Sequence, residues 1–364
     1  MHLKNLSVTN FKNYEQSEFE FIPKINCIVG DNGVGKTNLL DAIYYLSFTK
    51  SYFNPVDYQN INNKNEFFVV EGDYQINGKT EHLYCGAKRH VKKTFKRNNK
   101  DYKRISEHIG LIPLVIITPT DINLIIGASE ERRRYINSVI SQYKKSYLND
   151  VIDYNKALAH RNKLLKNFSR DRYFDKDNLD VWDMQLIPLG KRIFDDRKYF
   201  IDKLLPIFSN FYDLISQSKE EIKLTYISDL NAENFEELLK NNREKDRITQ
   251  YTNFGIHRDE LNFEISDLPL KKSGSQGQQK TFLIALKFAQ FSFLKEISGI
   301  KPILLLDDIF DKLDSSRVKE IVKLVADQYF GQIFITDTNP ERIEKIVKQM
   351  NIEYNIFHIK PTEK

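Results

Sequence analysis

Cysteine is nearly missing from this 364-residue sequence, with Cys27 and Cys85 the only two. Two are too few for a disulfide framework, so the core alone must hold the fold, and a reducing cytosol is the expected home. No apolar run approaches the roughly 20 residues that cross a bilayer. The polar start Met1-His2-Leu3-Lys4-Asn5 is not followed by the apolar core of a signal peptide. Internal repeats are lacking, and the one biased tract is the Asn/Lys-rich 60–65. A large excess of one charge is missing too. Lys and Arg number 55 against 50 Asp and Glu, leaving +5 and a pI near 8.8. That tilts towards a polyanionic partner without establishing one. What is present is ordinary globular material, 41% hydrophobic and 29% charged. At roughly 150 residues per domain, the length predicts two domains or one with a large insertion.

Short strands are predicted first, from Leu6, Val8 and Phe11 and then Phe19, Phe21, Ile25, Cys27, Ile28 and Val29. After a glycine cluster, Leu39, Leu40, Ile43 and Leu46 recur at helical spacing. Residues 66–117 read as strands again, with turns at Asn77-Gly78 and Asn98-Asn99. From about Glu130 to Lys245 the pattern becomes long amphipathic helices, marked by Tyr135, Ile136, Val139 and Ile140 and later by Leu164 and Leu165. After Gly255 it returns to α/β. Ile303-Leu304-Leu305-Leu306 and Ile333-Phe334-Ile335 are the unbroken apolar runs of parallel strands covered on both faces. These readings predict an α/β head made from residues 1–125 and 250–364, carrying an inserted helical arm at 126–249.

Gly30-Asp31-Asn32-Gly33-Val34-Gly35-Lys36-Thr37, followed by Asn38, fits the phosphate-binding loop in full, with a strand before it and a helix after it. Glycines let backbone N–H groups curl round a β-phosphate, and the helix N-terminus adds unpaired donors. Lys36 reaches the β- and γ-phosphates of ATP, and the Thr37 hydroxyl coordinates Mg²⁺. Asp307-Asp308 ends an apolar strand, where α/β sheets bind ligands. Asp307 is expected in the Mg²⁺ shell, and Asp308 to orient or deprotonate the attacking water.

Ser273-Gly274-Ser275-Gln276-Gly277-Gln278-Gln279-Lys280 resembles the ABC signature Leu-Ser-Gly-Gly-Gln, with Gln276 in place of the first Gly of the pair. Downstream, Asp311-Lys312-Leu313-Asp314 looks like a D-loop. Within the ABC superfamily the chain resembles the RecF family of bacterial recombination-repair ATPases over essentially its whole length. Asn10-Phe11-Lys12-Asn13-Tyr14 looks like the family motif that approaches the nucleotide, with Lys12 where Arg is common. Thr118-Pro119-Thr120-Asp121, Glu131-Arg132-Arg133-Arg134 and Leu158 to Leu165 are similar to the segments leading into and along its arm. Gly255-Ile256-His257-Arg258-Asp259-Glu260-Leu261 looks like Gly-Pro-His-Arg-Asp-Asp-Leu with two substitutions.

The resemblance implies an ABC-type ATPase head and a homodimer that closes on ATP. In such a dimer Ser275, Gly277, Gln278 and Asp314 of one copy complete the site of the other. It also implies slow hydrolysis, binding to double-stranded or gapped DNA, the partners RecR and RecO, and a cytoplasmic protein with no membrane partner. The basic run at 88–104, above all Lys92, Lys93, Lys96 and Arg97, either grips phosphates or is a solvated hairpin face. His257 and Trp182 read as structural. Thr336-Asp337 stands at the switch position after the last strand. A transport ATPase subunit is disfavoured by the long insertion before Ser275. A coiled-coil DNA tether is disfavoured because 130–245 is short and contains Pro188 and Pro206, expected breaks.

Overall fold

A computed structural model of the chain describes residues 1–217, 220–310, 313, 315–326 and 329–360. The elements begin with β1 (His2–Phe11), β2 (Tyr14–Glu20), β3 (Ile25–Val29), α1 (Lys36–Phe48), β4 (Phe67–Ile76) and β5 (Lys79–Lys88). They continue with β6 (Thr94–Arg97), β7 (Lys100–Asp101), β8 (Leu114–Ile117), α2 (Asn123–Ile126), α3 (Ser129–Tyr143), α4 (Lys145–Asp171) and α5 (Lys176–Ser216). Next come β9 (Ile222–Ile227), α6 (Phe235–Asn241), α7 (Arg243–Thr249), β10 (Glu260–Ile265), β11 (Leu268–Pro269), α8 (Leu270–Ser273) and α9 (Gln276–Ser298). The last are β12 (Ile303–Asp307), α10 (Ser315–Ala326), β13 (Ile333–Asp337), α11 (Pro340–Met350) and β14 (Tyr354–His358). Two compact units result: Met1–Asp121 with Phe211–Gln217 and Gln276–Lys364, and Ile122–Asn210 with Ser218–Ser275.

The first unit holds a five-stranded sheet in the order β14-β3-β13-β12-β8, parallel throughout, and a six-stranded antiparallel sheet β2-β1-β4-β5-β6-β7. The apolar runs of β3, β12 and β13 are buried at every residue, as strands covered on both faces require. Helix α1 is buried over 11 of its 13 residues. Leu39, Ile43 and Leu46 share one core with Leu6, Val8, Phe68 and Val70 of the antiparallel sheet and with Ile28, Leu305 and Phe334 of the parallel one. Each residue of α9 from Thr281 to Leu294 is buried as well. A helix buried on every face lies inside a core, and this one carries Lys287 and Gln290 there among its apolar side chains. The Asn77-Gly78 and Asn98-Asn99 turns have positive φ at both residues, which sets the twist of the β4–β5 and β6–β7 hairpins.

In the second unit α4 and α5 run antiparallel, tied by Lys144–Asp196, Arg192–Asp150 and Arg161–Asp183 pairs at 2.6, 2.8 and 2.6 Å. Leu179, Leu186, Ile193 and Phe200 of α5 are fully buried at seven-residue spacing. Contrary to the expectation from sequence, Pro188 and Pro206 do not break α5, which runs 41 residues through both. Each proline forfeits one backbone bond, and the buried stripe outweighs that loss. The strand β9 is a second departure, since it falls inside the stretch read as helical. It pairs with β10, which in turn pairs with β11. Buried arginines are neutralised locally. Arg161 meets Asp183 and Asp246, while Arg197 meets Asp259 at 2.5 Å. Among the described residues, no helix is long and apolar enough to cross a membrane.

His257 has a hydrogen-bond partner on each ring nitrogen. Its Nδ1 lies 2.9 Å from the Tyr154 hydroxyl and its Nε2 lies 3.0 Å from the Thr252 carbonyl. Burial pushes its pKa down to about 4. An unfolded chain therefore takes up a proton below about pH 6.5 that the folded chain refuses until about pH 4. Stability from this group is complete above pH 6.5 and is lost as pH falls, by about 2 kcal/mol at pH 5. Urea unfolding at pH 7 and pH 5 should show that loss in the wild type and a shallower one in His257→Gln. Equal slopes would remove His257 from the account.

Candidate functional site

The site is built where β3 stops. Gly30 to Gly35 turn the chain from β3 into α1, and Gly30, Gly33 and Gly35 all have positive φ. At Gly35, φ is 114° and an added Cβ would lie 2.5 Å from the Asn13 amide nitrogen. That contact marks a clamp. Asn13, in the tight β1–β2 turn, donates to the Val34 carbonyl at 2.9 Å and accepts from Asn38 at 2.7 Å. Tyr14 donates to the Gly35 carbonyl at 3.0 Å. The N-terminal hairpin thus grips the loop where it enters α1. Asn13 and Tyr14 were legible only as parts of a motif, and their hold on the loop was not.

Lys36 is buried, its ammonium donating to the carbonyls of Gly30 and Asp31 at 2.9 Å each. The cation is curled over the hollow of the loop. Thr37 donates to the Asp307 carboxylate, both oxygens standing 3.0 Å from Oγ1. Thr336, at the end of β13, donates to Asp307 at 2.7 Å and accepts from the Asp308 N–H at 3.1 Å. The neighbouring Asp337 takes a two-pronged pair from Arg342 at 2.9 and 2.7 Å, and so is turned into the structure of α11. Burial pushes the Asp307 carboxyl pKa up, against the donors Thr336 and Thr37. Burial, then repulsion from Asp307, pushes Asp308 up as well. Asp308 has left-handed backbone, φ 46°, and among the described residues its Oδ1 is buried without a hydrogen-bond partner.

The donor set suits Mg²⁺: a hydroxyl and a carboxylate, both hard oxygen ligands, 3.0 Å apart. No cluster of three or more His, Cys, Asp or Glu able to hold a metal occurs among the described residues. A Mg²⁺ ion bound here would be held by Thr37 and Asp307 and would need further oxygen ligands from its substrate and solvent.

Beside Thr37 and Asn38 opens a cleft of about 650 Å³, walled by Lys12, Asn13, Phe53, Asn54, Gln59 and Asn62 among others. The wall at 60–62 is stitched to β1, since Lys12 N–H donates to Asn60 and Asn62 N–H to Asn10, both at 2.8 Å. Lys12 points its ammonium at Asp41 of α1, 2.5 Å away, and stands over the Phe53 ring at 5.1 Å. Composition gave no sign of this wall.

Ser275 immediately precedes α9, and Gly277 and Gln278 lie in its first turn. Asp314 lies outside the described residues. On the β5–β7 hairpins Lys93 is bound inwards, to Asp57 at 3.1 Å and over the Tyr45 ring at 5.5 Å. Arg97 forms a fork with Glu81 at 2.8 and 2.7 Å. Lys92 is exposed and Lys96 half-buried, and neither makes an ion pair among the described residues.

The family described as RecF/RecN/SMC N terminal domain matches residues 2–359. The DNA replication and repair protein RecF of Phocaeicola vulgatus is 51% identical over 365 residues, spanning 100% of this chain and 98% of that one. Its namesake in Flavobacterium johnsoniae is 52% identical over 359 residues, spanning 99% and 100%. Among solved structures, the recombination mediator protein RecF-ATP of the RecFOR pathway matches with a TM-score of 0.85 at 32% identity, over 93% of this chain and 92% of that one. An Smc head domain from Pyrococcus furiosus shares the fold alone, with a TM-score of 0.56 at 16% identity over 99% and 94%.

The clamp on the loop makes two glycines differ. Gly33 has φ 82° but nothing within 4 Å of an added Cβ, whereas Gly35 meets Asn13. Gly33→Ala should lose about 1–2 kcal/mol from backbone strain alone. Gly35→Ala should lose about 1–3 kcal/mol more from overpacking. Urea titration checks the order, and equal losses would mean that Asn13 does not hold the loop.

Proposed function

The chain belongs to the RecF family, and from that premise we propose that it is an ATP-dependent DNA-binding protein of DNA replication and recombinational repair. It closes as a homodimer on two ATP molecules and hydrolyses them slowly. The observation that carries the reading is the Thr37–Asp307–Thr336 contact, which holds a carboxylate of β12 against the start of α1, beside a loop of N–H donors. On binding ATP, Lys36 exchanges the Gly30 and Asp31 carbonyls for β- and γ-phosphate oxygens. Mg²⁺ supplies charge neutralisation of the phosphates, and Thr37 and Asp307 are the residues that hold it. The adenosine part lies in the cleft beside Asn38, with Lys12 at its rim; a volume of about 650 Å³ suits a ligand of that size.

Asp308 is the group that orients the attacking water and accepts its proton. Its upward-shifted carboxyl and its unpartnered Oδ1 favour proton acceptance. The γ-phosphate site is completed from the partner copy, by the Ser275 hydroxyl and the Gly277 N–H at the start of α9, with Gln278 and Asp314 beside them. DNA is gripped through phosphates by the β5–β7 hairpins. Lys92 and Lys96 are the first contacts, and Lys93 and Arg97 join only if their internal pairs open. Double-stranded DNA next to a single-strand gap is the proposed substrate, with RecR and RecO as protein partners in a cytoplasmic pathway.

A mixing experiment tests the trans arrangement. Lys36→Ala should abolish hydrolysis by removing a phosphate donor. Ser275→Arg should keep ATP affinity as a monomer but lose ATP-dependent dimerisation and hydrolysis. In a mixed dimer, one composite site pairs an intact loop with an intact signature. Part of the ATPase activity should therefore return on mixing, and ATP-dependent dimers should return even if both sites must fire together. Ser275→Arg that dimerises on ATP like wild type would sink the trans model.

A further inference from the structure

A charged side chain stands in the middle of α9 where nothing apolar requires it. Lys287 lies within the unbroken buried run from Thr281 to Leu294. Its ammonium is 3.0 Å from Asp121 Oδ1, and both side chains are 6% exposed. Taking two charges out of water is costly, and such a pair is weak evidence for stability. Its neighbours suggest a different use. The Tyr52 hydroxyl donates to the same Asp121 oxygen, and the Tyr52 N–H donates to Asp41 Oδ1 at 2.7 Å. Asp121 Oδ2 accepts from the Thr118 N–H at 2.7 Å, which fixes the carboxylate at the end of β8. Asp41 sits on α1, five residues after Lys36, and binds Lys12 at 2.5 Å and the Ser51 hydroxyl at 2.6 Å. Tyr52 therefore bridges two buried carboxylates. One belongs to the helix that starts in the phosphate loop, and the other holds the helix that starts beside Ser275.

We propose that Lys12, Asp41, Tyr52, Asp121 and Lys287 form one polar chain through which occupation of the cleft sets the position of α9, with Lys287 as a positioning residue for the signature. Lys12 is at once the cleft wall and the first member of the chain. A nucleotide in the cleft that draws Lys12 towards itself weakens its hold on Asp41. Asp41 then loosens on the Tyr52 N–H, the Tyr52 hydroxyl carries that shift to Asp121, and Lys287 follows Asp121. Polar links of this kind are discrete, so a small shift at one end is passed on as a change of partner rather than smeared out in the packing. Lys287 stands ten residues after Gly277 on α9. It acts through α9.

The inference rests on the ATP-closed dimer proposed above, and the test separates the two. Tyr52→Phe deletes one hydroxyl and keeps the ring, which packs edge-on to Tyr44 at 5.0 Å. Nucleotide affinity of the monomer, read with a fluorescent ATP analogue, should stay within about twofold. The ATP concentration needed for half-maximal dimerisation should rise about tenfold, read as mass by light scattering. Lys287→Arg should keep near-wild-type dimerisation, because Arg also pairs with a carboxylate. The neutral double variant Asp121→Leu/Lys287→Met, which leaves no lone buried charge, should fold as stably as wild type yet dimerise poorly on ATP. Wild-type protein that never dimerises on ATP would refute the dimer reading itself. A dimerising wild type, matched by Tyr52→Phe and by the folded double variant, would overturn the chain as a link and reduce it to packing. If the double variant fails to fold, Tyr52→Phe alone decides.

Discussion

The carboxylate of Asp307 is the point on which the head turns. It is buried at the C-terminal end of β12, where no bulk water solvates it, and two threonines hold it: Thr37 from α1 and Thr336 from β13. A buried carboxylate without donors is expensive. The hydrogen bonds that relieve the expense also fix three elements at one spot. The phosphate loop is thereby held over the ends of the parallel strands rather than merely near them. Repulsion between Asp307 and Asp308 and the left-handed backbone at Asp308 add local cost, of the sort that persists where the surroundings over-determine it.

Around that point the antiparallel sheet acts as a holder. Its first hairpin supplies Asn13 and Tyr14 to the loop backbone, and Lys12 to α1. The loop at 60–62 is stitched back to β1 and forms the far wall of the cleft. Helix α1 is enclosed by apolar side chains from both sheets, so the loop at its start has little freedom to rearrange without disturbing the core. The rigidity suits a site that recognises phosphate by fixed N–H groups.

Much of this was legible in the sequence, for identifiable reasons. The loop Gly30 to Thr37 is continuous, so its chemistry can be read from spacing alone. The runs at Ile303–Leu306 and Ile333–Ile335 announce two-sided burial, and the Asn-Gly and Asn-Asn pairs announce turns by their tolerance of positive φ. What failed was non-local. Strand β9 lay unseen because six residues between helical patterns carry little periodic signal, and its pairing with β10 only appears in three dimensions. Pro188 and Pro206 were weighed by local propensity, whereas the buried seven-residue stripe of α5 decides. The cleft wall and the Asp121–Lys287 pair join residues far apart in the chain, and the motifs that hold Lys12, Asn13 and Asp121 say nothing of those partners.

The central claim is that nucleotide held by this loop and carboxylate pair is what joins two copies. Asp308→Asn measures it most directly, because it keeps the side-chain shape and leaves Asp307 in place while removing the proposed base. Light scattering of that variant in ATP and Mg²⁺ should show the mass rising from the 43.0 kDa of one chain towards twice that value and staying there as long as ATP lasts. A mass that remains at one chain while ATP is bound would contradict the account.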